Sequence, residues 1–378
     1  MKLNLEWLAE DNGTLCHISK LVLEGKDNIS PLHALSKRDI IIIKNSGISN
    51  GVMNTNLVVA GETLAHSTFE GAGTNSAITE ALLKRTKSRM VKDKINLVHL
   101  RISKEYEIGK MIVPVAKISE IQASALVGVQ LEADASAITP PLPSGLASID
   151  IFKQVYDRTK TEIQSFKKDK EIVGYIPTTE ELVLIPEMVK AYLKDGVKIF
   201  AVDFSSSPLN RWLIRTVVTS IRANLKIKGQ AKENSDKQYY LHVFNVASSK
   251  KSPLEVAPIT DILSHSYGVD STSGVEWGGG KLVKEKLRFF NMPDYGAYQI
   301  RVLNKEQITH DKKLLEGTVN DVYEKLRSHR IVGYKKECEK ISESMTSSGV
   351  EQHILSKERA KNEVKNVLMD IREIKSRV

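Results

Sequence analysis

"VKIFAVDF", residues 197–204, is an apolar run of strand length that ends near a carboxylate. A continuous apolar run is typical of a strand that is buried on both faces, as strands in parallel sheets are. Similar runs occur on either side of it, at "EIVGYI" (171–176) and "YYLHVFNV" (239–246). The spacing of roughly 30 to 40 residues leaves room for one helix between successive strands, so the sequence predicts βαβ units.

Helical patterns and further strand-like runs extend this series. Apolar residues recur at helical spacing in 149–167, 180–194, 209–225 and 254–264. The further runs are "DIIIIK" (39–44), "NLVVAGE" (56–62), "INLVHLRI" (95–102), "KMIVPVA" (110–116), "VQLEADASAI" (129–138) and "YGVDST" (267–272). Eight or nine strands favour a closed barrel over an open sheet. We therefore predict an α/β protein with a (β/α)8 TIM-like barrel.

Helical patterns dominate the sequence after residue 300. The segments 313–329 and 356–378 carry apolar residues at helical spacing, and 345–352 is predicted to be the hinge between them. We predict a barrel with irregular N-terminal strands over residues 1–300 and a C-terminal helical extension over 301–378. The apolar stripe of the last segment is expected to dock on the barrel or on a second subunit, as a homodimer or heterodimer.

Composition excludes several classes of protein. The 378 residues are 41% hydrophobic, which is ordinary for a globular protein. No apolar run approaches the roughly 18 to 20 residues that span a bilayer, and the first residues include acids, so we expect a cytoplasmic protein without a membrane partner. The two cysteines, Cys16 and Cys338, lie far apart and are predicted to be free thiols.

Positive charge is concentrated in two segments. Residues 84–110 contain nine basic and three acidic side chains, and residues 222–251 contain seven basic and two acidic ones. Because the whole chain carries +9, the remainder is slightly acidic. Such segregation suits a polyanion surface, since neutralised phosphates release counterions. Solvated loop charges that aid solubility are the alternative.

Polar side chains lie at or near the ends of the predicted strands, where the active site of a parallel barrel forms. The candidate catalytic residues are Asp134, Asp203 and Asp270, and we expect them to meet at one rim. Each has a structural alternative, because Asp134 could cap a loop, Asp203 a helix and Asp270 a turn. The sequence contains no HExxH motif, so we expect a reaction without a metal or cofactor.

Two segments resemble the tRNA-guanine transglycosylases. In 118–163 a helix, a strand, a proline-rich loop and a second helix follow in the order found in that family, and 239–271 ends in "YGVDS", which is similar to the family's "GVDxFDS" strand. The resemblance covers roughly residues 30–282. It implies a pentosyltransferase in which an aspartate attacks C1′ of a guanosine nucleotide and a 7-deazaguanine replaces the base.

The resemblance also implies roles for individual residues. Asp270, followed by Ser271, takes the place of the nucleophile, although an alignment of "GVD" with "GVD" puts Ser273 there instead. Asn45 stands where the family has its acid/base aspartate, and Thr139 lies near the position of the base-reading aspartate. The family's glycine motifs read "GYIPTT" (174–179) and "DFSSS" (203–207), and its cysteine-rich zinc motif is absent from the sequence.

The resemblance leads to a set of binding residues. We expect the base to contact Asn45, Ser46, Thr139 and His242. The nucleic acid is expected to contact Lys84, Arg85, Lys87, Arg89, Trp277 and Lys281. Trp277 and Lys281 belong to the glycine-rich stretch "STSGVEWGGGK" (271–281), where the tryptophan could stack on a base and the lysine meet a phosphate.

Three functions remain open from the sequence. The first is base exchange in tRNA or DNA with a free 7-deazaguanine as the second substrate, as a transferase of tRNA processing. The second is a non-catalytic nucleic-acid-binding subunit that partners an active transglycosylase, which Asn45 favours because an amide cannot take a proton as a carboxylate does. The third is a metal-independent barrel enzyme that acts on a phosphorylated small molecule.

Overall fold

Eight parallel strands form a ring in the order in which they occur along the chain. They are β4 (Leu32–Ala34), β5 (Leu57–Thr63), β6 (Ile95–Arg101), β9 (Ala137–Ile138), β10 (Glu171–Ile176), β11 (Ile199–Asp203), β12 (Tyr240–Val246) and β14 (Ser271–Gly274). Leu35 closes the ring between β4 and β5, because its N–H donates to Leu57 O (3.3 Å) and its carbonyl accepts from Val59 N (2.9 Å). The predicted TIM-like barrel is confirmed.

The computed structural model of the chain describes most of the sequence. The described residues are 3–46, 55–108, 111–115, 117–179, 181–227, 237–247, 255–274, 283–303 and 312–378. None of the helices in these ranges is both long and apolar enough to cross a membrane.

Helices alternate with the barrel strands and cover them from outside. They are α1 (Lys37–Asn45), α2 (His66–Gly71), α3 (Ser76–Arg89), α4 (Glu120–Glu132), α5 (Ile149–Ser165), α6 (Ile185–Lys194), α7 (Arg211–Leu225) and α8 (Val319–Met345). Most begin at a serine, threonine or asparagine whose side chain accepts from a backbone N–H of the first turn, as Ser148 does for α5 and Asn210 for α7. The helices predicted at 149–167, 180–194 and 209–225 are confirmed, as α5, α6 and α7.

One predicted strand is helical, and a second is helical over most of its length. "DIIIIK" (39–44) belongs to α1, because Ser36 and Asp39 form a capping box that starts a helix, and Ile40 and Ile43 are buried on one side of it. "VQLEADASAI" (129–138) contains the end of α4 and only a two-residue strand. In the sequence, the four isoleucines of the first segment and the apolar end of α4 in the second have the pattern that is also typical of a buried strand.

Other predictions changed their place in the fold. "KMIVPVA" forms a strand, β8 (Met111–Pro114), but it pairs with β7 (Glu105–Ile108) in a hairpin outside the barrel. The helix predicted at 254–264 is replaced by a short strand, β13 (Val256–Pro258), and a 3-10 helix, Asp261–Tyr267. Strand β13 joins an antiparallel sheet with β15 (Arg288–Asn291) and β16 (Gly296–Gln299).

An antiparallel sheet that we did not predict covers the amino ends of the barrel strands. Its strands are β1 (Asn4–Glu10), β2 (His17–Leu23) and β3 (Lys26–Ile29). Trp7 of β1 stacks on His17 at 3.9 Å, and its indole N–H donates to Tyr239 O just before β12. The sheet therefore closes one end of the barrel.

Asp270 joins this sheet to the barrel. Its carboxylate is fully buried immediately before β14, and it accepts hydrogen bonds from Ser19, from Ser30 (2.8 Å) and from Leu241 N (2.7 Å). His17 Nε2 lies 3.0 Å from the same carboxylate. Because four groups from the terminal sheet and from β12 converge on one buried charge, Asp270 fixes the amino end of the barrel.

The C-terminal helices complete the barrel wall. The described connection between β12 and β14 contains the 3-10 helix rather than an α-helix, and α10 (Lys361–Arg377) packs against that 3-10 helix and α7. The buried stripe of α10 belongs to the barrel core. Of the two predicted docking places for this stripe, the barrel is the one observed. The predicted domain boundary at residue 300 stays a prediction.

Glu337 of α8 anchors the C-terminal helices. It accepts from Tyr295 (2.8 Å), from His353 of α9 (Val350–Leu355; 2.6 Å), and from Lys357 (2.7 Å). Burial alone would raise the pKa of Glu337, but the hydrogen bonds from His353 and Lys357 outweigh burial and lower the pKa to about 2.

Replacement of Asp270 should destabilise the fold. We expect Asp270→Ala to lower the free energy of unfolding by about 3–5 kcal/mol, because it leaves several buried partners unsatisfied. Urea denaturation followed by circular dichroism measures this difference. Asp157→Ala is the control, since Asp157 is 70% exposed in a surface ion pair and should change stability by less than about 1 kcal/mol. An equal effect of the two substitutions would contradict the structural role of Asp270.

Glu337 should make stability depend on acid pH. Because its pKa is lower in the folded chain than its ordinary 4.5, the carboxylate contributes stability above pH 4.5 and loses it as the pH falls towards about 2. Glu337→Gln should therefore cost about 3 kcal/mol at pH 7, and the difference from the native chain should shrink below about pH 4.5. Denaturant titrations at several pH values test this. Glu339→Gln, at an exposed position of the same helix, should have a small effect at every pH.

Candidate functional site: the carboxyl-end mouth of the barrel

Polar side chains fill the carboxyl-end half of the barrel interior. The register of the strands puts Tyr175, Ala201, His242 and Ser271 in one layer. His99 of β6 stacks on Phe244 of β12 with ring centroids 4.3 Å apart, across the ring, so both side chains lie inside. An interior of this polarity is uncommon, since such barrels are usually filled by branched apolar residues. The carboxyl ends of the strands, called the mouth below, are therefore the candidate site.

Asp203 is the centre of the mouth. It is the last residue of β11 and is fully buried. Its Oδ1 accepts from Ser205 N (2.8 Å) and Asn245 Nδ2 (3.0 Å). Its Oδ2 faces Arg101 Nε at 3.3 Å and the Tyr175 hydroxyl at 3.4 Å. A buried carboxylate is retained where such partners offset its desolvation.

His99 and Tyr175 extend this network away from Asp203. His99 Nε2 lies 3.0 Å from the Tyr175 hydroxyl, and His99 Nδ1 lies 3.4 Å from Asn245 Nδ2. Tyr175 must donate to the carboxylate and Asn245 Nδ2 can only donate, so His99 accepts at Nδ1 and carries its proton at Nε2. Tyr175, Asn245 and Nε2 of His99 then each donate to an acceptor, and the imidazole is neutral.

Burial supports the neutral state of His99. Burial lowers the pKa of His99 to about 4, even though the charge of Asp203 acts in the opposite direction. Burial and the nearby carboxylate also raise the pKa of Tyr175 well above its usual value. Around neutral pH the network therefore offers a neutral imidazole, a neutral phenol and a carboxylate beside a guanidinium. Such a set can orient a polar ligand through directional hydrogen bonds.

The backbone around Asp203 is strained. Ser205, Ser206 and Asn245 have φ angles of 50°, 66° and 53°, in the left-handed region that side chains other than glycine seldom adopt. At Asn245 the pairing between β12 and β14 is irregular, and this irregularity turns the amide into the barrel. Ser206 N donates to Asn245 O (2.9 Å), which joins the two strained segments. Strain of this kind clusters at functional sites.

Several arginines lie at one side of the mouth, near the ends of β4, β5, β6 and β14. Arg101 ends β6, while Arg327 and Arg330 of α8 line a small cavity of about 20 Å³ with Ser273 and Gly274. The same two arginines line an adjoining cavity of about 230 Å³ with Arg288. Arg327 Nε also donates to the buried Asp39 carboxylate at 2.6 Å. Burial would raise the pKa of Asp39, but Arg327 outweighs burial and lowers it.

Helix α3 brings two further arginines to this side. Arg85 Nε lies 2.9 Å from Glu62, the penultimate residue of β5, and Arg89 lies 3.7 Å from the same carboxylate. Lys84 and Lys87 on α3 are exposed. Of the residues predicted to contact nucleic acid, these four are described, whereas Trp277 and Lys281 lie outside the described residues.

The three predicted carboxylates do not meet, so the expectation of a common rim is wrong. Asp203 lies at the mouth, but Asp270 precedes β14 and lies at the opposite end of the barrel. Asp134 follows α4, is 75% exposed and is 3.0 Å from Lys170, which precedes β10. Both carboxylates have structural contacts, but these are not the loop cap and the turn that were considered, because Asp134 is in an ion pair with Lys170 and Asp270 accepts from residues distant in the sequence.

The predicted base-binding residues are also separated. Asn45 is the exposed last residue of α1, and Ser46 Oγ lies 3.0 Å from Ser328 Oγ of α8. His242 is buried inside the barrel with hydrogen bonds to Ser271 and Ser273, and burial lowers its pKa to about 3. Thr139 is buried just after β9, in which Ala137 pairs with Leu97 of β6. His242 therefore lies inside the barrel and Thr139 at the end of a barrel strand, whereas Asn45 and Ser46 lie at the end of a helix outside it.

The buried hydroxyls of Thr139 and Ser144 are among those that lack a hydrogen-bond partner within the described part of the chain. Both lie near the carboxyl ends of strands, since Thr139 follows β9 and the N–H of Ser144 donates to Ile102 O just after β6. An unpaired buried hydroxyl is costly, so such groups often face a water molecule or a ligand. In the same part of the chain, no group of three or more His, Cys, Asp or Glu side chains is arranged to hold a metal ion.

Several residues of the mouth were missed in the sequence. His99 and Arg101 have a local signal, because they alternate with apolar residues at the end of a strand. Tyr175 has the same signal in "EIVGYI". Arg327 and Arg330 have none, since they lie on a helix more than 50 residues beyond β14 and reach the mouth only through the closure of the barrel.

Comparison of the sequence with protein-family models and with curated proteins gives no match. The class of protein is therefore defined by the fold and the site, as a (β/α)8 barrel with a polar mouth lined by arginines. The similarity of 118–163 and 239–271 to transglycosylases stays a hypothesis.

The tautomer of His99 can be measured. We expect ¹⁵N NMR of labelled histidine to show a neutral Nε2–H imidazole that does not titrate between about pH 5 and 8, because its pKa is lowered to about 4. His99→Gln identifies the signal by its loss. Asp203→Asn removes the negative charge that favours the imidazolium and should lower the pKa of His99 further. A charged imidazole at pH 7 would contradict the hydrogen-bond assignment.

Proposed function

We propose that the protein binds nucleic acid at the mouth of the barrel, and that one nucleotide enters the polar interior around Asp203. The observation that carries the proposal is the concentration of arginines around a polar mouth. Five guanidinium groups lie there with only three carboxylates, which leaves a local excess of positive charge. The guanidinium groups belong to Arg85, Arg89, Arg101, Arg327 and Arg330, and the carboxylates to Glu62, Asp39 and Asp203. Arginine is the side chain best suited to phosphate recognition.

The interior below these arginines suits a nucleotide base. Tyr175 and Asn245 donate to Asp203, so a base would exchange these hydrogen bonds for its own, whereas the hydroxyls of Thr139 and Ser144 have unused capacity. A flipped nucleotide is read by hydrogen bonds in such a pocket, while its phosphates remain outside. The exposed Lys84 and Lys87 on α3 add positive charge that could contact the flanking backbone.

Binding without covalent exchange is the form of the proposal that the geometry favours. A glycosyl intermediate on Asp270 would require a nucleotide to reach the closed end of the barrel, where the carboxylate is buried under the terminal sheet. The alternative alignment puts Ser273 at the position of the nucleophile, and Ser273 does line the mouth cavity. A serine hydroxyl is a weak nucleophile unless a base takes its proton. His242 is hydrogen-bonded to Ser273, but burial lowers the pKa of His242 to about 3, which makes it a weak base.

Base exchange through Asp203 is the second candidate. It is favoured by one observation, namely that Asp203 is the only one of the three predicted catalytic carboxylates that faces the mouth. A free 7-deazaguanine would then be the second substrate. Against it, both oxygens of Asp203 already accept hydrogen bonds or face a cation, which stabilises the anion and lowers its nucleophilicity.

Binding to nucleic acid tests the proposal directly. Affinities for bulk tRNA, single-stranded DNA and duplex DNA would be measured by filter binding between about 50 and 200 mM salt, where phosphate contacts produce a steep salt dependence. We expect Arg101→Gln to weaken binding by about tenfold or more, since a charge-assisted hydrogen bond contributes about 1.5–3 kcal/mol. Arg372→Gln, on the outer surface of α10 and 74% exposed, should bind as the native chain does.

Two further measurements separate the candidates. Incubation of each nucleic acid with labelled guanine or 7-deazaguanine detects exchange, and exchange that Asp203→Asn abolishes while binding persists would favour the second candidate. Thermal unfolding of each variant confirms that the fold is retained. Salt-dependent binding that Arg101→Gln leaves unchanged, or no binding to any of the three nucleic acids, would refute the proposal.

A further inference from the structure

Trp212 is exposed at the start of α7. Its relative exposure is 65%, whereas Trp7 in the terminal sheet is 1% exposed. The neighbouring residues Leu213, Ile214 and Val217 are buried against the barrel, so α7 turns its tryptophan away from the core. An exposed tryptophan ring offers a large flat surface on which a partner can stack.

Arg215 supports the exposed ring from one side. Its guanidinium carbon lies 4.5 Å from the centre of the Trp212 ring, within the range of a cation–π contact. Arg215 is itself held by Glu373 (2.5 Å) and Asp370 (3.6 Å) of α10. The ring therefore rests on a guanidinium that two carboxylates fix in place, which leaves its other face for a partner.

The loop before α7 connects this ring to Asp203. Residues 204–210 lead from the end of β11 to the asparagine that caps α7. The loop is braced, because Ser206 N donates to Asn245 O and Ala247 N donates to Ser207 O. Helices of a parallel barrel begin at the carboxyl ends of the strands, so Trp212 lies on the same face of the barrel as the mouth.

We propose that Trp212 stacks on an unpaired base of a single-stranded or looped nucleic acid whose neighbouring nucleotide occupies the mouth. This proposal rests on the proposed function. The arginines near Trp212 are paired with carboxylates, as Arg211 is with Asp370 at 2.7 Å, so the local contact is stacking on an aromatic ring rather than neutralisation of phosphate. A duplex cannot make this contact, because its bases are already stacked.

The experiment compares oligonucleotides with mononucleotides. Trp212→Ala should weaken the binding of a single-stranded oligonucleotide about tenfold, since stacking on one base contributes about 1–3 kcal/mol. The salt dependence of its binding should not change, because no phosphate contact is lost. A mononucleotide that fills only the mouth should bind equally well, and Trp212→Phe should retain most of the affinity.

Fluorescence gives a second readout. The chain contains three tryptophans, Trp7, Trp212 and Trp277. In a Trp277→Phe background the exposed Trp212 remains with the buried Trp7, so binding of the oligonucleotide should quench the emission of Trp212. Ile29→Ala is the control, because Ile29 of β3 is 55% exposed in the terminal sheet at the opposite end of the barrel and its replacement should change neither affinity nor quenching.

The outcomes are distinct. If Trp212→Ala binds the oligonucleotide as tightly as the native chain does, and binding does not quench the emission of Trp212, the stacking proposal is refuted although the mouth still binds. A change in the sedimentation of the nucleic-acid-free protein on Trp212→Ala would overturn it in favour of a contact between copies of the chain. Absence of binding to every nucleic acid would refute the proposed function itself.

Discussion

The buried carboxylate of Asp270 is the interaction on which the rest of the structure depends. It accepts from Ser19 of β2, from Ser30 just after β3 and from Leu241 N of β12, and it lies beside His17. A charge in so dry a place is stable only while all of these partners are present. This arrangement closes the amino end of the barrel, so the proposed ligand would have to enter the interior from the carboxyl end.

At that opening, burial and hydrogen bonding act together on the protonation states. His99 is kept neutral because its two nitrogens are used by Tyr175 and Asn245 and because it is buried. The network therefore presents a fixed pattern of donors and acceptors around neutral pH. Arg101 and Asp203 add charges that compensate each other inside, and the remaining arginines leave a positive rim. This division suits the recognition that we propose, of an anionic ligand with a polar, flat part.

Much of the fold could be predicted from the sequence, but less of the site could. "VKIFAVDF" and "YYLHVFNV" were interpreted correctly because long apolar runs between amphipathic helices have few other structures. The strand predicted for "DIIIIK" was wrong, because the prediction followed its β-branched composition, whereas the capping box at Ser36 starts a helix there. Asp203 and Asp270 look alike in the sequence, since both adjoin barrel strands, but one ends its strand and the other precedes it. The sequence does not show which end of a strand each carboxylate occupies. It also does not show that Arg327 of α8 lies at the mouth, because this depends on tertiary structure.

The position of α10 has a consequence for the synthesis of the protein. This helix, at residues 361–377, covers the wall beside the 3-10 helix Asp261–Tyr267, and Tyr267 donates to its Asp370 at 2.5 Å. The flank of the barrel that it covers is made about 100 residues earlier in translation. Until α10 has been made and has left the ribosome, this apolar flank stays uncovered, and an uncovered apolar surface favours aggregation during that interval.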